Sequence, residues 1–201
     1  NELSPAQEEN FQFIGPSVGQ ELKNKTLIAI VLALGAITLY IAFAFRKVSR
    51  PVSSWVYGIT SLIALFHDIL IPVGVFAVLG KFYNAEITIP IVAALLTILG
   101  FSVHDTIVIF DRIRENILKK GNKSFEETID WSLTQTAGRS VSTVFTVLLV
   151  MAFVFFMGGQ TLKYFSLALM IGVAAGAYSS IFIAGPLLVT WHQRSERKRI
   201  K

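Results

Sequence analysis

The sequence predicts an all-α polytopic membrane protein with five transmembrane helices and an interfacial amphipathic helix on the cytoplasmic side. Three observations carry this expectation. Of the 201 residues, 53% are hydrophobic and only 15% charged, whereas a soluble domain carries about a quarter charged residues; mean hydropathy is +0.61. The apolar residues gather in five runs, each long enough to cross a hydrocarbon core of about 30 Å, which takes about 20 residues of helix. Lys and Arg lie in short clusters between those runs, as membrane proteins place them. The net charge of +5 therefore reflects membrane topology and not a nucleic-acid-binding face. The chain has no cysteine, which excludes disulfides, thiolate metal sites and cysteine nucleophiles but identifies no compartment.

Taken in order, Thr26–Phe45 is free of charge. Trp55–Leu79 is apolar except for His67 and Asp68, and Ile87–Phe110 except for His104 and Asp105. Trp131–Gly158 carries one charge, Arg139, and Tyr164–Trp191 carries none. Such runs are too long for barrel strands of about ten alternating residues. In hydrocarbon the backbone must satisfy its own hydrogen bonds, which leaves helix.

The basic residues orient the spans. Arg46, Lys47 and Arg50 lie between the first and second spans. Arg112, Arg114, Lys119, Lys120 and Lys123 lie between the third and fourth. Arg194, Arg197, Lys198, Arg199 and Lys201 form the tail (residues 192–201). These thirteen face only Lys23, Lys25, Lys81 and Lys163 on the other side, so the tail is expected to be cytoplasmic and residue 1 external. An external start to an odd number of spans implies an upstream segment that brings it across. Residues 1–25 read as the end of an external, periplasmic domain and its lead-in. Ile14-Gly15-Pro16 is a turn signal, and a polar helix start follows at Ser17–Glu21.

Residues 111–130 form the longest cytoplasmic connection. Ser124 followed by Glu127 reads as a capping box. Phe125, Ile129 and Leu133 share one helical face, which predicts an amphipathic helix at the interface leading into the fourth span. That helix either covers the bundle or binds a partner. Lys81–Glu86 and Gly159–Lys163 are expected to be tight outward hairpins.

Charges inside apolar spans cost at least about 2.5 kcal/mol on insertion scales and point to function. Asp105 lies about 9 Å below the cytoplasmic end of its span, and Arg139 about 12 Å into the next, at 1.5 Å per residue. The spans are antiparallel neighbours, so an Asp105–Arg139 pair can form at one depth. It is either a proton carrier tuned by burial against a nearby cation or a static ion pair; Arg139 can also snorkel to the headgroups. His67 and Asp68, near the middle of the second span, read as relay members or as a buried bundle contact. Asp111/Arg114 and Arg112/Glu115 are i, i+3 pairs that anchor the interface. Gly172 and Gly176 form a G-x-x-x-G suited to close helix packing, and Gly185-Pro186 is expected to bend or break the last span. The fourth span is rich in hydroxyls, which can bond across helices or line a wet path.

The run Gly100-Phe101-Ser102-Val103-His104-Asp105-Thr106-Ile107-Val108-Ile109-Phe110-Asp111-Arg112-Ile113-Arg114-Glu115-Asn116 closely resembles a signature of the SecF family of protein-export membrane proteins. Ile14–Leu22, Ala64-Leu65-Phe66-His67-Asp68 and the last span, through Tyr178-Ser179-Ser180-Ile181-Phe182, resemble further segments of that family. The resemblance implies that the five spans are the second to sixth of a six-span half of the resistance-nodulation-division (RND) superfamily. It implies a SecD partner, action on polypeptide leaving the SecYEG channel, YajC and YidC as further associates, and location in a bacterial or archaeal cell membrane. It implies proton-motive force as the driving energy and no cofactor or enzyme activity, with Asp105 and Arg139 as the proton-conducting residues. His104 stands where the family usually has Asn, either tuning Asp105 or substituting as a neutral hydrogen-bonding group.

Three other readings stand beside this one. A small-molecule efflux subunit of the same superfamily would carry large external loops, unlike these compact hairpins. An intramembrane aspartyl protease using Asp68 and Asp105 would need Y-D and G-x-G-D settings, which do not occur. A structural partner of SecD would use Asp105 and Arg139 only to lock the bundle.

Overall fold

The computed structural model describes residues 16–46, 52–119 and 124–200. Residues 1–15, expected to be external, lie outside the described residues with most of the expected Ile14-Gly15-Pro16 turn, as do Lys47, Arg50, Lys120, Lys123 and Lys201. Among the described residues all regular structure is helical. The helices are α1 (Pro16–Ala44), α2 (Ser54–Tyr83), α3 (Ile89–Leu118), α4 (Phe125–Met157), α5 (Gln160–Ser179) and α6 (Gly185–Ile200), with a π turn at Ser180–Ala184 joining the last two. Five stretches are long and apolar enough to cross a membrane, the last of them running through α5, the π turn and α6.

The helix ends follow local chemistry. Pro16 opens α1, where a missing N–H costs nothing, and lead-in and first span are one helix. Asn84 closes α2 in the left-handed conformation, φ 52°, with its N–H on the Leu79 carbonyl; Asn tolerates that region better than most residues. Pro90 lies in the first turn of α3, after Thr88. The Ser124 capping box is formed: Glu127 N–H donates to Ser124 Oγ at 3.2 Å, and Ser124 N–H to Glu127 Oε2 at 2.9 Å.

Two expectations change. The amphipathic stretch after Ser124 is not a separate helix, because it is continuous with the fourth span in α4. Its apolar face packs into the bundle. Phe125 and Ile129 are buried in the core, with Leu133 packed beside them, so covering the bundle is what this stretch does. Gly185-Pro186 does not break the last span. A π turn precedes it, and pairing five residues apart lets the helix step past the N–H that Pro186 lacks.

α3 and α5 are the centre of the bundle, each packing on α2, α4 and the other. Two apolar clusters fill it. One gathers Phe45, Tyr57, Phe110, Ile113, Phe125 and Leu188, with the rings of Tyr57 and Phe110 edge to face at 5.2 Å and those of Phe45 and Tyr57 stacked at 5.4 Å. The other gathers Leu65, Phe76, Leu95, Ile98 and Leu169. Along α3 they are separated by buried Ser102 and Thr106, so the polar residues of the spans meet in a layer between two apolar plugs. Large apolar side chains on α1 and on the outer part of α4, such as Leu32, Phe145 and Phe153, point outward.

Candidate functional site

The polar layer is built on successive turns of α3. Asp105 is half-buried, and Ser140 of α4 donates to its Oδ1 at 2.6 Å. Its Oδ2 is buried and has no hydrogen-bond partner among the described residues. Ser180 approaches the same carboxylate, but its hydroxyl pairs with Thr106 Oγ1 at 2.9 Å, and no Asp105–Ser180 bond reaches hydrogen-bond geometry.

The expected Asp105–Arg139 ion pair is absent among the described residues, for a helical reason. Neighbouring residues on a helix point about 100° apart, given 3.6 residues per turn. Ser140 faces inward and is buried, while Arg139 lies on the exposed flank of α4. Arg139 is the chain neighbour of Ser140 on α4, and His104 that of Asp105 on α3. His104 itself is exposed on the outer face of α3. Serine, then, and not arginine, is the direct partner of the acid.

The second acid is more enclosed. Asp68 is fully buried. Its Oδ2 accepts hydrogen bonds from Ser102 of α3 and, at 2.8 Å, from Ser179 of α5. His67 Nδ1 lies 3.0 Å from its Oδ1, with the imidazole partly exposed. One carboxylate thereby ties α2, α3 and α5 together. Pro72 in α2 has no N–H for the Asp68 carbonyl four residues earlier, so the helix ladder is interrupted at this residue. Asp68 and Asp105 make no hydrogen bond to each other; each is held by serines.

Small residues allow this closeness. A Cβ added at Gly172 would overlap the side chain of Ile98, and one at Gly176 would lie 3.1 Å from the Ser102 Cβ. The two glycines thus set the α3–α5 distance at the level where Ser102 and Ser179 reach Asp68. Of the hydroxyls on α4, Thr134, Thr136, Ser142, Thr143 and Thr146 bond to carbonyls of their own helix, as Ser and Thr in helices commonly do. Ser140 crosses to Asp105, and Ser132 takes a bond from Asn116 Nδ2 at 2.8 Å.

At the end of α3 the expected short-range pairs form, Arg112 with Glu115 and Arg114 with Asp111 at 3.5 Å. Lys119 joins Glu115, and Arg112 Nε donates to Gln135 of α4 at 2.6 Å. Among the described residues no group of three or more His, Asp or Glu gathers to hold a metal.

Sequence reasoning placed Ser140 among fourth-span hydroxyls able to bond across helices but missed Ser102, Ser179, Ser180 and Thr106 as members of this layer. Of the missed residues, Ser102 and Thr106 had an available signal: with Ile98 and Phe110 they recur every fourth residue along the face of α3 that carries the core.

The family described as "Protein export membrane protein SecD/SecF, C-terminal" matches residues 2–194. A protein translocase subunit SecF of Thermobaculum terrenum is 53% identical over 92% of this chain and 57% of its own length. A protein translocase subunit SecDF of Thermus thermophilus is 39% identical over 90% of this chain and 23% of its own length. The crystal structure of SecDF from Thermus thermophilus, titled a translocon-associated membrane protein, superposes with a TM-score of 0.78 at 38% identity, covering 89% of this chain and 23% of that one. The chain therefore spans little more than half of such a SecF subunit and about a quarter of the fused SecDF chains.

Proposed function

Since the chain belongs to the SecD/SecF C-terminal family of protein-export membrane proteins, we propose that it is the membrane part of a SecF-type translocase subunit, coupling proton movement to polypeptide export. Association with SecD is supported by relatives in which the two are fused. Action beside SecYEG, with YajC and YidC as further associates, belongs to the same reading. So does an orientation with the basic tail in the cytoplasm and residue 1 outside.

The observation that carries the proton reading is the Asp105 carboxylate. One oxygen is held by Ser140 and the other is buried without a hydrogen-bond partner among the described residues. A buried polar atom normally has a partner, and an exception calls for an explanation. A proton arriving on Oδ2 supplies one, by removing the charge that burial penalises. Arg139 is the chain neighbour of Ser140, and a shift of α4 against α3 would move both relative to the acid. His104 tunes the same acid from the outer face of α3, and His67 with Asp68 serves as a second station or relay. Gly172 and Gly176 hold the helices close enough for the layer to form.

The test is proton flux in proteoliposomes containing the full-length protein with SecD. Asp105→Asn keeps the shape and the acceptor for Ser140 but carries no exchangeable acid. Flux falling to the protein-free background, with export reduced in cells, is the expected outcome. Unchanged flux would assign Asp105 a purely structural role.

A further inference from the structure

A cleft of about 420 Å³ runs along α6, lined by Trp191, Arg194, Ser195, Arg197 and Lys198. All five side chains are exposed. Trp191, Arg194, Ser195 and Lys198 are spaced i, i+3, i+4, i+7, so they form one stripe of the helix, and Arg197 flanks it. The function proposed above does not use this stripe.

Three observations mark it as an anion site in the headgroup layer. Its cations are unengaged: Arg194, Arg197 and Lys198 make no ion pair or hydrogen bond among the described residues, whereas Arg112, Arg114 and Lys119 at the end of α3 each meet a carboxylate. The nearby acid is turned away. Glu196 lies about 140° round the helix from Trp191 at 100° per residue, and approaches His192 Nε2 at 3.5 Å. Among the described residues no carboxylate lines the cleft.

The third observation is depth. The long apolar stretch that begins at Leu162 runs to Lys198, 37 residues in all. That is about 55 Å of helix, more than a bilayer of about 40–45 Å with its headgroups, so its charged end stands outside the hydrocarbon. Trp favours the level where hydrocarbon meets headgroups. Arg194 and Lys198 follow Trp191 by about 4.5 and 10 Å of rise, across a headgroup layer of about 5–8 Å.

We propose that this cleft binds the phosphate of an anionic phospholipid. The guanidinium forks of Arg194 and Arg197 match pairs of phosphate oxygens. Lys198 supplies a third cation and Ser195 a hydroxyl donor, and the Trp191 ring offers an apolar face to the lipid beside its glycerol. A zwitterionic headgroup is disfavoured, because its own cation meets three like charges. Five Lys and Arg within residues 194–201 add the longer-range attraction of a basic juxtamembrane segment for anionic lipid. The site is independent of proton movement at Asp105 and stands if that reading fails.

The chain has no cysteine, which permits a local test. Gln193→Cys, exposed and off the stripe, carries a bimane fluorophore in the full-length protein with its partner subunit, in a cysteine-free background. The complex is placed in nanodiscs containing phosphatidylglycerol or phosphatidylcholine with a nitroxide on the acyl chain just below the glycerol. Nitroxide quenches only nearby bimane, so quenching reads the lipid at α6. At equal mole fraction, phosphatidylglycerol should be enriched there at least about threefold over phosphatidylcholine. The two lipids should quench equally at Leu32→Cys on the outward face of α1.

Arg194→Gln/Arg197→Gln/Lys198→Gln should abolish the excess. Arg194→Lys/Arg197→Lys, which keeps the charge and loses the forks, should retain only part of it. Equal quenching by the two lipids at α6, or an undiminished excess in Arg194→Lys/Arg197→Lys, would overturn the phosphate site. So would loss of the excess to millimolar inorganic phosphate at constant ionic strength, which assigns the cleft to a soluble anion. Displacement of the lipid by single-stranded RNA would assign it to nucleic acid instead.

Discussion

Removing the Asp68 carboxylate should uncouple three helices, and the size of the effect follows from what each partner does next. In Asp68→Ala, His67 is partly exposed and can turn outward. Ser179 already reaches the Gly176 carbonyl at 3.1 Å and keeps that bond. Ser102 is buried and makes no other hydrogen bond among the described residues, so its hydroxyl is orphaned at about 1–3 kcal/mol. The void left by the side chain adds to this. A net loss of about 2–3 kcal/mol is expected on these terms. Hydrogen bonds between membrane helices average about 0.6 kcal/mol with a maximum near 1.7, and this one is fully buried on both sides. The Asp68–Ser102 coupling should therefore be about 1–2 kcal/mol. The assay is reversible unfolding of the full-length protein in bicelles for Asp68→Ala, Ser102→Ala and the double variant. Thr143→Ala, exposed and bonded only within its own helix, serves as a control expected within about 0.5 kcal/mol of wild type. If Ser102→Ala costs as much in the Asp68→Ala background as alone, the carboxylate is not the hub described here.

The same unfolding assay addresses the glycine seam. Gly172→Ala forces its methyl onto the side chain of Ile98 and should cost about 1–3 kcal/mol, Gly176→Ala should cost less, and Ile98→Ala should recover part of the Gly172→Ala loss. Tyr57 Oη is buried with no hydrogen-bond partner among the described residues. Tyr57→Phe should therefore be neutral or stabilising, by up to about 1–3 kcal/mol, and a clear destabilisation would reveal a partner for the hydroxyl. Ser124→Ala removes one half of the α4 capping box and should cost about 1 kcal/mol; hydrogen exchange should quicken in the first turn after Phe125 with little change near Ser140.

The features legible in sequence share one property: each depends on residues near one another in the chain. Helix content, the five apolar stretches and the Ser124–Glu127 box were all of this kind. The pairing at Asp105 was not. Depth along two antiparallel helices placed Arg139 beside it, and that reasoning was correct about level and silent about rotation. One residue of helical phase put Ser140 at the carboxylate and Arg139 on the flank. Likewise, the i, i+4, i+8 pattern at Phe125, Ile129 and Leu133 is the same whether the stripe meets lipid headgroups or a neighbouring helix. Its place in the core followed from α6, where the His192 ring lies 4.6 Å from that of Phe125.

The amino-acid sequence by itself determined that this chain spans a membrane as helices and which ionisable groups lie within them. Hydrocarbon leaves the backbone no alternative, and the ends are set by residues a few positions apart. Tertiary structure alone decided that Asp68 gathers serines from two other helices and that Ser140 and not Arg139 holds Asp105. These depend on the rotation of each helix about its own axis. That rotation is set by side chains of three or four helices packing at once, Gly172 against Ile98 and Gly176 against Ser102 among them, and no local run of sequence encodes it.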